Sequence, residues 1–375
     1  MKKVVIAIDS FKGCLPSVEA GKAAAEGIRS VYPECEVICL PIADGGEGML
    51  DVLIMATNGQ EVPISAHDPL MRWRNTYYGI SENEETSFIE MASISGLPLV
   101  PPERRNPMLT TTYGTGEIIR DALERGCRNF IIGIGGSATN DAGLGMLQAL
   151  GFRFSDKESK EVGTGRGEVL IKVAHIDSTC VHPALNSCRF TVACDVQNPF
   201  YGPEGAAYVF APQKGANREM VEALDAGLQN FAEVIRHTTG KDISHHPGAG
   251  AAGGMGGGLL AFLNAELKPG IQLMLEALDF SNKIKSADLI ITGEGKADRQ
   301  TLMGKVPSGI LAEARKQNIP VILLAGNIED SDELQQAGFE GVFSVNPPFI
   351  SLEEAMRPEV ARKNIQQTVE SICKK

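Results

Sequence analysis

The sequence predicts an α/β protein of two domains: a doubly wound, mostly parallel sheet of Rossmann or flavodoxin type, with a second α/β domain inserted into it and the active site in the cleft. Three observations carry that expectation. Short, β-branched apolar runs alternate with helical patterns at both ends of the chain, as they do in parallel sheets. At 375 residues the chain exceeds a typical single domain. Its middle reads differently, with short alternating segments and much glycine.

The elements follow in order. VVIAID (4–9) reads as a strand, and residues 17–30 as a helix with Ser17 as N-cap after Pro16. EVICLPIA (36–43) is a second strand, followed by a glycine-rich turn and a helix around MLDVLIMAT. RWRNTYYGI and TSFIEMA suit antiparallel strands within 60–105. A helix around 116–126, the strand NFIIGI (129–134) and a helix through 141–150 come next. Residues 152–285 hold one strand-like run, RFTVACD, and a helical stretch near 217–237. DLIIT (288–292), PVILLAG (320–326) and GVFSV (341–345) are strands, with helices at 306–317 and 352–373. The simplest assembly puts 1–59, 106–150 and 286–375 in the parallel-sheet domain and 60–105 with 151–285 in the insert.

Composition narrows the function. The formal net charge is −12, which argues against a general nucleic-acid binder, since that needs a basic face. A local cluster of cations can still hold a small anion. Eight cysteines are scattered with no CxxC pair and no zinc spacing, so a reducing cytoplasm is expected. The five apolar residues before Asp9 are too few for a signal peptide, and no tract is long enough to span a membrane. The oligomeric state is left open.

Four predicted strand exits share one chemistry. Asp9-Ser10-Phe11-Lys12-Gly13 follows the first strand, and Asp44-Gly45-Gly46-Glu47-Gly48 follows the second. Gly135-Gly136-Ser137-Ala138-Thr139-Asn140-Asp141 and Gly293-Glu294-Gly295-Lys296-Ala297-Asp298 follow two more. Open α/β sheets bind ligands outside the carboxyl ends of their strands. Glycine lets backbone N–H groups approach phosphate oxygens, and acids beside phosphate imply Mg²⁺ between them. Each motif also has a plain structural role. Asp9 and Asp44 can cap helices, and Gly133–Ala138 fits the dinucleotide fingerprint GxGxxG/A with Asp156 as ribose partner. GAGAAGGMGGG (248–258) reads as close backbone packing or a ligand against the main chain. Asp195, closing an apolar strand, suits a catalytic carboxylate or a turn equally well. No Walker A, GxSxG or histidine metal motif is present.

DSFKG (9–13), ADGGEG (43–48), GIGGSATNDAGLGMLQALG (133–151), ACDVQNP (193–199), FAPQKG (210–215), GAGAAGGMGGG (248–258) and ITGEGKADRQTLMGKVPSG (291–309) occur together in this order. With them the chain resembles the bacterial type I glycerate kinases over nearly its whole length. Met71 stands where a glycine is expected in that family. The resemblance implies ATP and Mg²⁺ as cofactors and glycerate as acceptor, with 2-phosphoglycerate as product. On that basis Gly135, Gly136, Ser137, Gly293, Glu294 and Gly295 are expected at the nucleotide phosphates, and Asp298 and Asp44 at Mg²⁺. Lys12 and Lys305 are expected to offset charge on the transferring group. Asp195 would orient or deprotonate the acceptor hydroxyl, and Asp9, Ser10 and Arg72 would bind glycerate. A dehydrogenase using GIGGSA as its fingerprint, and a non-catalytic nucleotide sensor, are the alternatives.

Overall fold

The computed structural model describes residues 1–43 and 48–374. Among them run thirteen strands: β1 (Lys3–Ile8), β2 (Glu36–Cys39), β3 (Gln60–His67), β4 (Trp73–Ile80), β5 (Thr86–Glu90), β6 (Asn129–Gly133), β7 (Arg153–Ser155), β8 (His175–Asp177), β9 (Arg189–Ala193), β10 (Glu266–Lys268), β11 (Leu289–Ala297), β12 (Val321–Ile328) and β13 (Gly341–Ser344). The chain divides into two units. One is Met1–Asp44 with Ile271–Lys375, the other Gly45–Gly270.

The first unit holds a five-stranded, wholly parallel sheet in the order β13–β12–β11–β1–β2. Its interior strand β1 is apolar on both faces, as strands of covered parallel sheets are. Val4, Ile6 and Ile8 join a core with Ala20, Ala24 and Ile28 of the helix Ser17–Val31 and Ile365 and Val369 of the helix Pro358–Cys373. Val5 and Ala7, pointing the other way, are equally buried. The helix Val306–Arg315 packs on β11 and β1. From β1 the chain steps to β2 on one side; from β11 it steps through β12 to β13 on the other. The order therefore reverses between β1 and β11, where open α/β sheets place ligands.

Two local expectations change. Ser17 is the first helical residue rather than the cap. Its hydroxyl donates to the Ile8 carbonyl at 2.6 Å and accepts the Ile42 N–H at 3.0 Å, tying the end of β1 to the segment after β2. The polar turn expected from Gly293 is largely strand. β11 runs on to Ala297 because β12 also continues, pairing Glu294 with Ala325 and Lys296 with Asn327. Gly293 is central in this ladder, opposite Ile8 and Leu324, and a Cβ there would lie 2.6 Å from the Leu324 carbonyl oxygen. Sheet packing thus explains this glycine.

The second unit holds a six-stranded sheet, β10–β9–β6–β5–β4–β3. β5, β6, β9 and β10 are parallel, while β4 and β3 close one side as antiparallel strands. β7 and β8 form a separate antiparallel pair. Residues 106–150, read from the sequence as part of the terminal domain, contribute β6 to this second sheet instead. β6 is flanked by β5 and β9, and Phe130 stacks on its partner Phe190 with ring centroids 4.7 Å apart. Burying each ring contributes about 1.5–3 kcal/mol and the stack up to about 1.5 kcal/mol more. The short apolar run of β6, Phe130–Ile132, carries no mark of which sheet it joins; these neighbours decide it. Among the described residues no helix is long and apolar enough to cross a membrane.

Candidate functional site

In the first unit a cavity of about 320 Å³ opens at the carboxyl edge of the sheet, at the β1/β11 reversal. It brings together Asp9, Ser10 and Lys12 after β1, Glu294, Gly295 and Lys296 from β11, and Lys305 at the start of the helix Val306–Arg315. The Asp9 N–H donates to the Gly293 carbonyl at 2.9 Å, extending the ladder by one residue. The Asp9 carboxylate, nearly buried, accepts the Ser10 N–H at 2.7 Å. The Phe11–Leu15 bridge then closes a tight loop that presents Lys12 to solvent.

Glu294 is a second buried acid of this cavity, beside Asp9. Its Oε1 accepts the Thr301 hydroxyl at 2.6 Å and its Oε2 lies 3.8 Å from the Lys305 ammonium. Burial raises its pKa, and Thr301, Lys305 and Lys12 only partly offset that rise. Asp298 stands just beyond. Its Oδ1 accepts the Gln300 N–H at 2.8 Å, its own N–H donates to the Thr301 hydroxyl at 2.9 Å, and its Oδ2 is 3.4 Å from Lys296. Burial opposes ionisation of Asp298, but the Gln300 N–H and the two lysines outweigh it and hold the carboxyl below its usual range. The Lys296 ammonium also pairs with Glu329 at 2.9 Å.

The inner wall of this cavity was not read from the sequence. Gly326 and Asn327 come from the last residues of β12 and Asn346 from the exit of β13, and Leu352, Ala355 and Met356 add apolar surface. The Asn346 amide donates to the Gly326 carbonyl at 2.8 Å. The signal was present, since GN closes the apolar run of β12 and NPP follows that of β13, but it lacked the acids that marked the other exits.

The second unit gathers three other motifs at the carboxyl edge of its sheet. Gly135 and Gly136 are exposed after β6, and Ser137 to Asp141 are buried. The fully buried Asp141 carboxylate accepts the Thr112 N–H and hydroxyl, both at 2.8 Å, and the N–H groups of Gly143 and Gly145 at 3.3 and 3.2 Å. Burial nonetheless raises its pKa. These bonds explain why the helix here is only Leu144–Ala149: Asp141 fills its first turn. The glycine-rich segment packs onto the same turn. The Ala142 N–H donates to the Gly253 carbonyl at 3.0 Å, and a Cβ on Gly253 would lie 2.1 Å from the Thr139 carbonyl oxygen. Close packing is therefore the role of this glycine.

Lys214, from FAPQKG, was missed as a candidate. Only 2 % exposed, it donates from Nζ to the Ser137 hydroxyl at 2.8 Å and the Thr139 carbonyl at 2.6 Å. Burial pushes its pKa down to about 7, against the pull of Asp141. Around it the Thr139 hydroxyl and both Asn140 amide atoms are buried without a partner among the described residues. Asp195 leaves β9 exposed, and its Oδ1 accepts the Gly270 N–H at 2.8 Å. Arg72 is gripped by the buried Asp68: its Nε and Nη2 lie 2.7 and 2.6 Å from Asp68 Oδ2. Met71 beside it has φ +60°, the left-handed conformation that glycine adopts most readily. Asp44 lies outside the described residues.

The family model described as the glycerate kinase family matches residues 4–375. The chain belongs to the glycerate kinase family. A glycerate kinase of Haemophilus influenzae is 45 % identical over 99 % of this chain and 98 % of its own length. A glycerate 2-kinase of Escherichia coli K12 is 47 % identical, covering 95 % and 93 % respectively. The crystal structure of a glycerate kinase 2 from Salmonella typhimurium LT2 superposes with a TM-score of 0.90 at 43 % identity, over 100 % of this chain and 97 % of that one. As a member of this family the chain is an enzyme, a kinase. The dehydrogenase alternative also fails on geometry. Asp156 follows β7, which pairs antiparallel with β8 rather than beside β6, and its Oδ1 is bound by the Glu158 and Lys160 N–H groups at 2.9 and 3.0 Å.

Proposed function

We propose that this glycerate kinase family member transfers the γ-phosphoryl group of ATP to the 2-hydroxyl of glycerate, giving 2-phosphoglycerate. The observation that carries the nucleotide half is the cavity at the strand-order reversal, lined by three lysines, Lys12, Lys296 and Lys305, and by the apolar Leu352, Ala355 and Met356. The acceptor and the reacting hydroxyl draw support from the E. coli relative, a glycerate 2-kinase. Phosphoryl transfer is mostly positioning and charge stabilisation. In this reading Glu294 and Gly295 line the phosphates, and Lys12 and Lys305 stand as point charges toward the transferred group. The exposed turn Gly135-Gly136-Ser137 offers backbone N–H groups to an anionic oxygen. Asp9 and Ser10 bind glycerate, and Asp195 takes the proton of the attacking hydroxyl.

Mg²⁺ fits as a partner of the phosphates rather than of a protein cage. Among the described residues no three His, Cys, Asp or Glu side chains are grouped to hold a metal. Magnesium usually takes one or two carboxylates and completes its shell with water and phosphate oxygens. Asp298 and Asp44 are the carboxylates that would hold it, and when bound it would neutralise negative charge on the phosphates.

The test is a panel of small hydroxy acids with ATP and Mg²⁺, read by phosphorus NMR. Glycerate is expected to give one new phosphomonoester at the 2-position. Glycolate, lacking a hydroxyl, leaves a site group unpaired at about 1–3 kcal/mol, so its kcat/KM falls roughly 5- to 150-fold. No product with glycerate overturns the reading; a 3-phosphate overturns the assigned hydroxyl.

A further inference from the structure

Lys214 is the most deeply buried cation in the chemistry-bearing turns, and the proposed roles above leave it unassigned. A lysine is almost never fully buried unless something holds its charge. Here two neutral oxygens hold it, the Ser137 hydroxyl and the Thr139 carbonyl, both on the turn between β6 and the helix Leu144–Ala149. The charged group facing it is Asp141 on that same turn, already met by four donors. The next residue along the chain, Gly215, packs against the Arg105 backbone. A second observation is independent of the lysine. The Thr139 hydroxyl and both polar atoms of the Asn140 amide are wholly buried and unpartnered among the described residues. Each such group costs about as much as a lost hydrogen bond, and native structures keep them where a ligand or water completes them. The opening of the turn to solvent is at Gly135 and Gly136, both exposed.

We propose that Lys214 is a positioning residue that makes the turn Gly135–Asn140 an anion subsite of the kinase reaction: it fixes Ser137 and Thr139 and stands as the positive charge behind the exposed glycines. The chemistry shared by its possible occupants is an anionic oxygen group, either the carboxylate of the acceptor or a phosphoryl oxygen of the nucleotide. The inference rests on the proposed kinase reading for the identity of those occupants.

The experiment is Lys214→Met in the full chain, with KM measured for ATP and for glycerate separately, and binding of ADP and of glycerate measured by calorimetry. Loss of a charge-assisted contact predicts a rise of about ten- to hundredfold in one KM and the matching dissociation constant. The substrate affected identifies the occupant. Because burial holds the Lys214 pKa to about 7, an anion settling behind it raises that pKa. Binding by the wild type near about pH 8 then takes up a proton, seen as a buffer-dependent enthalpy, and the variant loses this uptake. A folded variant with both KM values and the proton uptake of the wild type overturns the proposal, as does a loss that only tracks the fraction folded. If Lys214→Met does not fold, Ser137→Ala replaces it. It is expected to shift one KM about threefold or more, and an unchanged KM for both substrates overturns the proposal. The calorimetric arm needs no turnover. An inactive wild type that still binds ADP or glycerate through Lys214 would sink the proposed reaction and leave the subsite standing.

Discussion

The carboxylate of Asp195 accepts the Gly270 N–H at 2.8 Å, so this side chain has a structural bond as well as a proposed chemical task. The two separate in Asp195→Asn. The amide oxygen keeps an acceptor for Gly270, so stability is expected to change by less than about 1 kcal/mol. An amide has no basic lone pair at neutral pH, so loss of a general base lowers kcat by roughly 10²–10⁴. A thermal melt and steady-state kinetics on the same sample read both, and a kcat near that of the wild type would remove Asp195 from the role. At this scale the sequence was uneven. Asp9, Lys12, Glu294 and Lys305 stood out because acids and lysines after apolar strands are rare, and the structure gathers them at one cavity. Lys214 did not stand out. Nothing in FAPQKG marks its lysine as buried, because the groups that enclose it come from the turn 137–141, far away in the chain. Met71 was visible only as a departure from an expected glycine, and its φ of +60° supplies the physical reason for that expectation.

Elements were more legible than their partners. The predicted strands 4–9, 129–134 and 341–345 became Lys3–Ile8, Asn129–Gly133 and Gly341–Ser344, since apolar runs bounded by glycine and polar residues carry their own limits. The helix expected over 352–373 is divided, Leu352–Ala355 and Pro358–Cys373, because Pro358 lacks the N–H that continuation needs. Sheet membership is a property of pairs, and no local pattern told β6 from a strand of the other sheet. The glycine-rich segment 248–258 shows what local reading can reach. Its composition implied close approach, and Gly253 meets the Thr139–Asn140 backbone directly. Gly253→Ala therefore faces a carbonyl oxygen 2.1 Å from its Cβ as well as a φ of +68°. Gly240→Ala is the control, with φ +76° and nothing within 4 Å. Strain alone predicts about 1 kcal/mol for the control, and strain plus a backbone clash roughly 2–4 kcal/mol for Gly253. Urea denaturation of the two variants separates them, and equal losses would show that the segment yields to a methyl group.

For the whole molecule, the way the chain is cut decides which part can stand alone. Gly45–Gly270 is one continuous stretch, and among the described residues its hydrophobic core runs from Val62 to Ala265 without using a residue from outside it. The other unit is discontinuous: β1 and β2 come from the first segment, β11 to β13 from the second, and the pairing of β1 with β11 lies at the centre of the sheet. Removing either segment exposes the apolar edge of a buried parallel strand, which the remaining strands have no way to cover. A chain of residues 45–270 alone is therefore expected to fold as an independent domain, with a cooperative thermal transition and a stability in the range of about 5–15 kcal/mol usual for domains. Residues 271–375 alone are expected to lack a cooperative transition. Circular dichroism melts, with dye binding as a check for exposed apolar surface, test both fragments. A 45–270 fragment that melts without cooperativity would mean that its core depends on the terminal segments. The fragment also contains Lys214, Ser137, Asn140 and Asp195, so the anion subsite can be probed in it by calorimetry once its folding has been established.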